Sequence, residues 1–235
     1  MLAMQTLAPN PGKSLTIPTS RGAYARYPIK THVVMRGENL KSIVEQYAGP
    51  HMRSGDLLFI SEKIVAISEG RAFPVADIKP SLLARFFVHF VQKTPHGIGL
   101  GSPWTMELAI REAGVARILL AALASALTKP FGMRGVFYRV VGHNINAIDG
   151  PCAYTLPPYN TYAKLGPKNP IQTAKELAAA FCLPVVIIDA NDLGRVILGS
   201  SEPESEFTFF GELFKDNPLG QTSEQTPLAL VRKVG

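Results

Sequence analysis

The sequence is poor in the residues that staple a small fold or mark a common catalytic class. Only two cysteines occur in 235 residues, Cys152 and Cys182, far apart and without metal-ligand spacing. That excludes a disulfide framework and a structural zinc site, and it fits a reducing cytoplasm. Cys182 follows Phe181 at the end of an apolar helical stretch and is expected to be a small buried hydrophobe. Long apolar runs are also missing. The longest, residues 118–127, holds ten residues against the roughly 20 needed to cross a bilayer, so a buried helix is expected there. The opening MLAMQTLAPNPGK lacks the basic start and long apolar centre of a secretory signal. There is no Walker loop, no zinc spacing and no Ser/His/Asp signature. His51, His89, His96 and His143 stand unpaired in sequence, and Gly97, Gly99 and Gly101 form a G-x-G-x-G run that is not the dinucleotide fingerprint.

What is present describes a folded, enzyme-sized chain. Hydrophobic residues make up 46% and charged residues 18%, ordinary for a globular protein. The length suits one large domain or two small ones and needs no staple to complete a core. Lysine and arginine exceed aspartate and glutamate by 24 to 18, a net charge of +6. The basic residues are scattered, without the stripe or motif of a nucleic-acid binder. Anionic small molecules are therefore the expected ligands, with neither nucleic acid nor membrane as a partner.

Along the chain, residues 1–26 read as an irregular leader and 27–235 as a single domain of one lobe or two. Residues 27–36 are rich in β-branched side chains and are expected to form a strand. Leu40, Ile43, Val44 and Tyr47 share one face of a short helix over 39–47. Residues 57–60 read as a buried strand, and 63–69 as a second strand or a short helix. Helical patterning covers 79–92 and 103–127, with a Gly/Pro loop between them. Residues 136–141 (VFYRVV) read as a strand. Asn169 and Pro170 mark the N-cap and first residue of a helix running to about residue 181. Residues 185–188 are a fully apolar strand, and PLALVRK near the end is another. Strands and helices mix without strict βαβ alternation, which predicts an α+β fold with mixed sheets.

Two acidic segments stand above background. Asp149 follows the expected strand at 136–141 in a segment with Asn144 and Asn146. Asp189, Asn191, Asp192, Gly194 and Arg195 follow the apolar strand directly. Carboxylates at the carboxyl end of a buried strand lie where open sheets place ligands. Clustered oxygen donors suit a hard cation such as Mg²⁺ or Mn²⁺.

Several stretches, in order, resemble the coenzyme F-420 gamma-glutamyl ligases. Tyr27-Pro28-Ile29 with Arg36-Gly37-Glu38-Asn39-Leu40 is similar to that family's opening. Residues 55–65 through Glu69-Gly70-Arg71 resemble its Gly-Asp-Val, Lys-Ile-Val-Ser and Glu-Gly-Arg segment. Ile148-Asp149 matches its Gly-Ile-Asp metal motif, residues 188–195 its Ser-Asp-Thr-Phe-Gly-Arg motif, and Gly220-Gln221, Glu224 and 227–232 its close. The resemblance implies a gamma-glutamyl ligase-like fold and an acyl-phosphate mechanism. L-glutamate would join a carboxylate-bearing acceptor, with GTP or ATP and Mn²⁺ or Mg²⁺, in a homodimer. It implies catalytic Asp149, Asp189 and Arg195, and metal ligands Asp149 with Asp189 or Asp192. It further implies nucleotide or substrate contacts from Lys63, Lys168, Asn191 and Gln221. This chain departs from the family's Asp-x-Ser-Asn by carrying Asp149-Gly150-Pro151-Cys152. That departure leaves a non-catalytic small-molecule or nucleotide-binding protein on the same fold as the alternative.

Overall fold

A computed structural model describes residues 7–91, 98–133, 135–142, 144–153, 155–191, 194–220 and 223–234. In chain order the elements begin with strands β1 (Thr16–Thr19) and β2 (Gly22–Ile29), helix α1 (Leu40–Tyr47), β3 (Leu57–Ser61) and α2 (Glu62–Ser68). Then come β4 (Ala72–Pro74), α3 (Leu82–Val88), α4 (Pro103–Ala113), α5 (Val115–Thr128), α6 (Val136–Val141) and β5 (Tyr162–Lys164). The chain closes with α7 (Pro170–Phe181), β6 (Val185–Asn191), β7 (Gly194–Ser200), α8 (Phe207–Leu213) and β8 (Leu228–Lys233). The fold is α+β. It divides into two compact units, the first made of residues 1–70 with 169–235, the second of residues 71–168.

Unit 1 is built on a six-stranded sheet of order β1-β2-β8-β3-β6-β7. All its pairings are antiparallel except β3 with β6, where Leu58 faces Val185 and Ser61 faces Ile188. That parallel pair is buried on both faces: Leu58, Phe59, Ile60 and the four residues Val185 to Ile188 are all 0% exposed. Such burial is why these strands appear in sequence as continuous apolar runs rather than as alternation. On one face, Phe59 stacks on Phe214 at 4.2 Å and meets Phe210 edge-on at 5.8 Å, each large side chain contributing roughly 1.5–3 kcal/mol by burial. Helix α1 starts where expected because the Asn39 side chain accepts the Ser42 amide at 3.0 Å, satisfying one of the helix's orphan donors.

Two ion pairs pin unit 1 from inside. Arg26, 1% exposed, donates to both carboxylate oxygens of Asp216 and to the Leu213 and Ser14 carbonyls. Asp56, fully buried, takes two 2.7 Å bonds from Arg232 of β8 and a third from the Arg53 amide.

Among the described residues, unit 2 holds the α-helices α3, α4, α5 and α6 and the two-stranded ladder of β4 with β5. Its core gathers residues such as Phe87, Leu100, Met106, Ile118, Val141 and Ile148. Helix α4 opens with a capping box, in which Ser102 and Thr105 exchange side-chain and backbone hydrogen bonds, and it stops at Gly114, whose φ of 82° lies in the region glycine tolerates best.

Six sequence expectations give way in whole or in part. Residues 16–19 and 22–26, read as part of a leader, are paired strand. Beyond Ile29 the expected strand does not continue. Residues 136–141 are a helix, not a strand: positive-φ glycines bracket them, Gly135 at 71° and Gly142 at 63°, and α6 packs along α5, so tertiary packing overrides β-propensity. Residues 118–127 are helical but not buried, since within α5 only Ile118 and Ala121 are. Cys182 is exposed and ends α7 in the left-handed conformation at φ 56°. Asn169 precedes α7 as expected but makes no side-chain cap.

Candidate active site

In unit 1 the parallel register of β3 and β6 brings both strands out at one edge. β3 runs straight into α2, placing buried Glu62 and half-buried Lys63 there. β6 continues three residues past the apolar run through Asp189, Ala190 and Asn191, all half-buried. Asp189 therefore sits within the strand, which runs two residues beyond it rather than ending at it. Strand alternation puts Asp189 and Asn191 on one face and Ala190 on the other, where Ala190 packs against the Phe209/Phe210 cluster. Arg195 pairs with Ala190 across the hairpin and shares its face. The Arg195 guanidinium lies along Gly211 of α8, where an added Cβ would stand 3.1 Å from Nε. Arg195 and Asp189 are thus on opposite faces of the hairpin. The Asn191 Oδ1 accepts the Gly194 amide at 3.0 Å and closes the turn. Asp192 and Gln221 lie outside the described residues, as do His96, His143 and Gly97.

Unit 2 holds Asp149, which follows a short 3-10 turn at Ile145–Ala147 rather than a strand. Asp149 and Lys164 exchange backbone bonds, amide to carbonyl at 3.0 Å and 2.9 Å, and the Asp149 Oδ1 accepts the Gly150 amide at 3.0 Å. The Lys164 side chain is buried and donates from Nζ to the Ala147 carbonyl at 2.9 Å. The turn is fastened a second time: Asn144, at φ 53°, donates to the Pro167 carbonyl at 3.0 Å. Gly166 is so close that a Cβ would fall 2.9 Å from both the Ala147 Cβ and the Asn144 carbonyl oxygen. Asp149 is thereby fixed by a rigid backbone frame. Lys168 is exposed at the end of this unit, and Cys152 is half-buried.

Two charged residues here escaped sequence reasoning. Lys164 was hidden in a proline-rich stretch read as loop. Glu62 was hidden at the junction of a strand and an element of uncertain type, although a charged residue directly after a fully apolar strand is itself a signal. Conversely, two positions in the family-like stretches are structural. Asp56 and Arg232 form the buried pair that ties β8 to the turn before β3. Arg71 is likewise tied to its own unit, donating to the Gly166 carbonyl at 2.6 Å and to Glu112 at 2.8 Å.

Among the described residues no group of three His, Cys, Asp or Glu side chains is placed to hold a metal ion. Asp189 and Asn191 in unit 1, and Asp149 in unit 2, are hard oxygen donors of the type Mg²⁺ accepts one or two at a time, water and phosphate completing its shell.

The chain is 28% identical over 165 residues to "Uncharacterized protein MJ1361" of Methanocaldococcus jannaschii, a match covering 64% of this chain and 50% of that protein. The chain thus spans about half the length of that relative. The profile of F420-0:Gamma-glutamyl ligase matches residues 28–192, well over half of the sequence and inclusive of Asp149, Asp189 and Lys164. On that match the chain belongs to the F420-0:gamma-glutamyl ligase family.

Proposed function

We propose that this protein is a ligase that joins L-glutamate to a carboxylate of a cofactor-like acceptor, driven by GTP or ATP with Mn²⁺ or Mg²⁺. The observation that carries the reading is the family match over residues 28–192. The acceptor carboxylate takes the terminal phosphoryl group of the nucleotide, releasing the diphosphate and forming an acyl phosphate. The glutamate amine then attacks that carbonyl carbon, inorganic phosphate departs, and the amine loses its proton as the amide forms. Asp149 of unit 2 and Asp189 of unit 1 are each assigned as a ligand for a divalent cation, which when bound would neutralise phosphoryl oxygens. Lys63 and Lys168 are assigned to phosphate or carboxylate oxygens, as fixed cations at developing charge. Asn191 is assigned to orienting β6 at Asp189 through its bond to Gly194. Arg195, packed on the opposite face against α8, is left out of the chemistry.

The test is isotope-labelled glutamate transfer, read by mass, with each nucleotide and each cation against a panel of carboxylate-bearing cofactors. Asp149→Asn and Asp189→Asn are each expected to lower transfer about 100-fold or more while leaving the melting temperature in place. Full transfer by Asp149→Asn would overturn the assignment. Nucleotide binding without transfer to any acceptor would establish the non-catalytic binding reading instead.

A further inference from the structure

Lys164 is a buried cation to which the proposed reaction gives no task. It is 6% exposed, and burying a charge is costly unless opposite charge and hydrogen bonds answer it. Alternation along two short stretches of unit 2 sets its place. Ala163 and Leu165 belong to the apolar core of the unit, and so does Ile148. Lys164 lies between the first two, Asp149 directly after the third, and the pair exchange both backbone bonds across an antiparallel bridge. Residues opposed in that way share a face, with Cβ atoms about 5 Å apart. The Asp149 carboxylate and the Lys164 ammonium therefore rise from the same side of one bridge, the side turned from the core.

The frame leaves the two charges little room to separate. Lys164 Nζ donates at 2.9 Å to the carbonyl of Ala147, two residues before Asp149. The Asp149 Oδ1 takes the Gly150 amide at 3.0 Å. Gly166 has no space for a Cβ against Ala147 and Asn144, so the turn cannot shift to carry the lysine away. A bare divalent cation on Asp149 would meet a fixed positive charge close by, where water screens it poorly. A cation that arrives already bound to phosphate brings the negative charge that the lysine then faces.

We propose that Lys164 makes the Asp149 site selective for a divalent cation carried on phosphate, as in a metal–nucleotide complex, over the same cation free in solution. This role rests on the reading of Asp149 as a cation ligand in the ligase reaction. The ammonium opposes the bare ion and favours the ion together with its phosphoryl oxygens. Lys63 and Lys168 differ from it in being half-buried and exposed, whereas Lys164 is anchored through its amide, its carbonyl and its Nζ. A lysine serving only to close the turn through Ala147 would have no such preference, and its loss would weaken every ligand of Asp149 alike.

The experiment is a pair of binding measurements on the full chain that need neither acceptor nor turnover. Free Mn²⁺ is titrated and read by electron paramagnetic resonance. Labelled GTP and ATP, each at saturating Mn²⁺, are read by equilibrium dialysis. Wild type is expected to hold one Mn²⁺–nucleotide complex at least about tenfold more tightly than free Mn²⁺. Lys164→Gln, which keeps a donor for the Ala147 carbonyl, is expected to move the two affinities in opposite directions. Free Mn²⁺ should bind about tenfold more tightly and the complex about tenfold more weakly. Lys164→Arg keeps the charge and is expected to stay with wild type in both. Affinities that fall together in Lys164→Gln, or that both stay unchanged, overturn the proposal. An effect of Lys164→Gln that survives in an Asp149→Asn background overturns it as well. Wild type holding free Mn²⁺ as tightly as the complex does the same, and that result depends on no variant folding. Wild type that binds neither nucleotide overturns the ligase reading itself, a failure visible before any Lys164 variant is made.

Discussion

The two units use opposite physical strategies. Unit 1 spends its charged residues inward: Asp56 with Arg232 and Arg26 with Asp216 sit in or beside a sheet whose central strands are sealed on both faces. Unit 2 has no comparable sheet among the described residues, closes its helices with caps and glycines, and leaves an apolar face of α5 exposed. The difference teaches that resemblance to a family in sequence does not separate frame from chemistry. Two family-like positions, Asp56 and Arg232, are frame. Asp149 and Asp189, by contrast, are half-buried at backbone positions fixed by their neighbours.

Three substitutions would break or sharpen this contrast. The largest effect is expected from Asp56→Ala, which takes a fully buried carboxylate away from the partly exposed Arg232 and from the Arg53 amide and should cost about 2 kcal/mol, read by urea denaturation. A loss no greater than a surface substitution would mean that unit 1 is not held by its internal ions. Next, Ser102→Ala removes the capping box of α4 and should cost about 1 kcal/mol, with faster hydrogen exchange confined to the first turn of that helix. The smallest effect is expected from Glu107→Gln, about 0.5 kcal/mol at neutral pH for the lost pair with Arg111.

That last variant carries a pH signature with a definite sign. Burial alone would raise the Glu107 pKa, but hydrogen bonds from Ser81 and the Arg111 guanidinium outweigh it and hold the carboxyl below its ordinary 4.5. The group therefore adds stability above that ordinary value and loses its contribution as pH falls through the lower folded one. Glu107→Gln should flatten the acid side of the stability profile while leaving the neutral side nearly parallel to wild type. An unchanged acid slope would refute the pairing.

Elements whose signals were local were legible in the sequence. α1 has an asparagine cap, α7 a proline at its first position, and β3, β6 and β8 are apolar runs that only a sheet buried on both faces requires. Elements decided by distant packing were not. The VFYRVV segment favours a strand by composition, yet α5 and two positive-φ glycines make it a helix. β7 was invisible because its Gly-Arg start read as ligand chemistry, although the hairpin register was already paired through Arg195. The same register explains why the acidic cluster after β6 was only half readable: sequence proximity joins Asp189 and Arg195, while strand alternation parts them. Lys164 went unseen because its role comes from a backbone bridge to a residue 15 positions earlier.

The position of β8 in the sheet has a consequence for how the protein is made. β8 is the strand between β2 and β3, and it starts at residue 228 whereas β3 starts at residue 57. A ribosome adding about 5–20 residues per second would need roughly 10–30 s to travel that interval. Throughout it, β2 and β3 each lack their central partner, and unit 2 is completed at residue 168, well before β8 emerges. Unit 2 can therefore condense during translation, but unit 1 must wait for the final strand to be threaded into its middle. A nascent chain stalled before residue 228 should accordingly be protease-resistant only across 71–168, and it should be the species that holding chaperones bind.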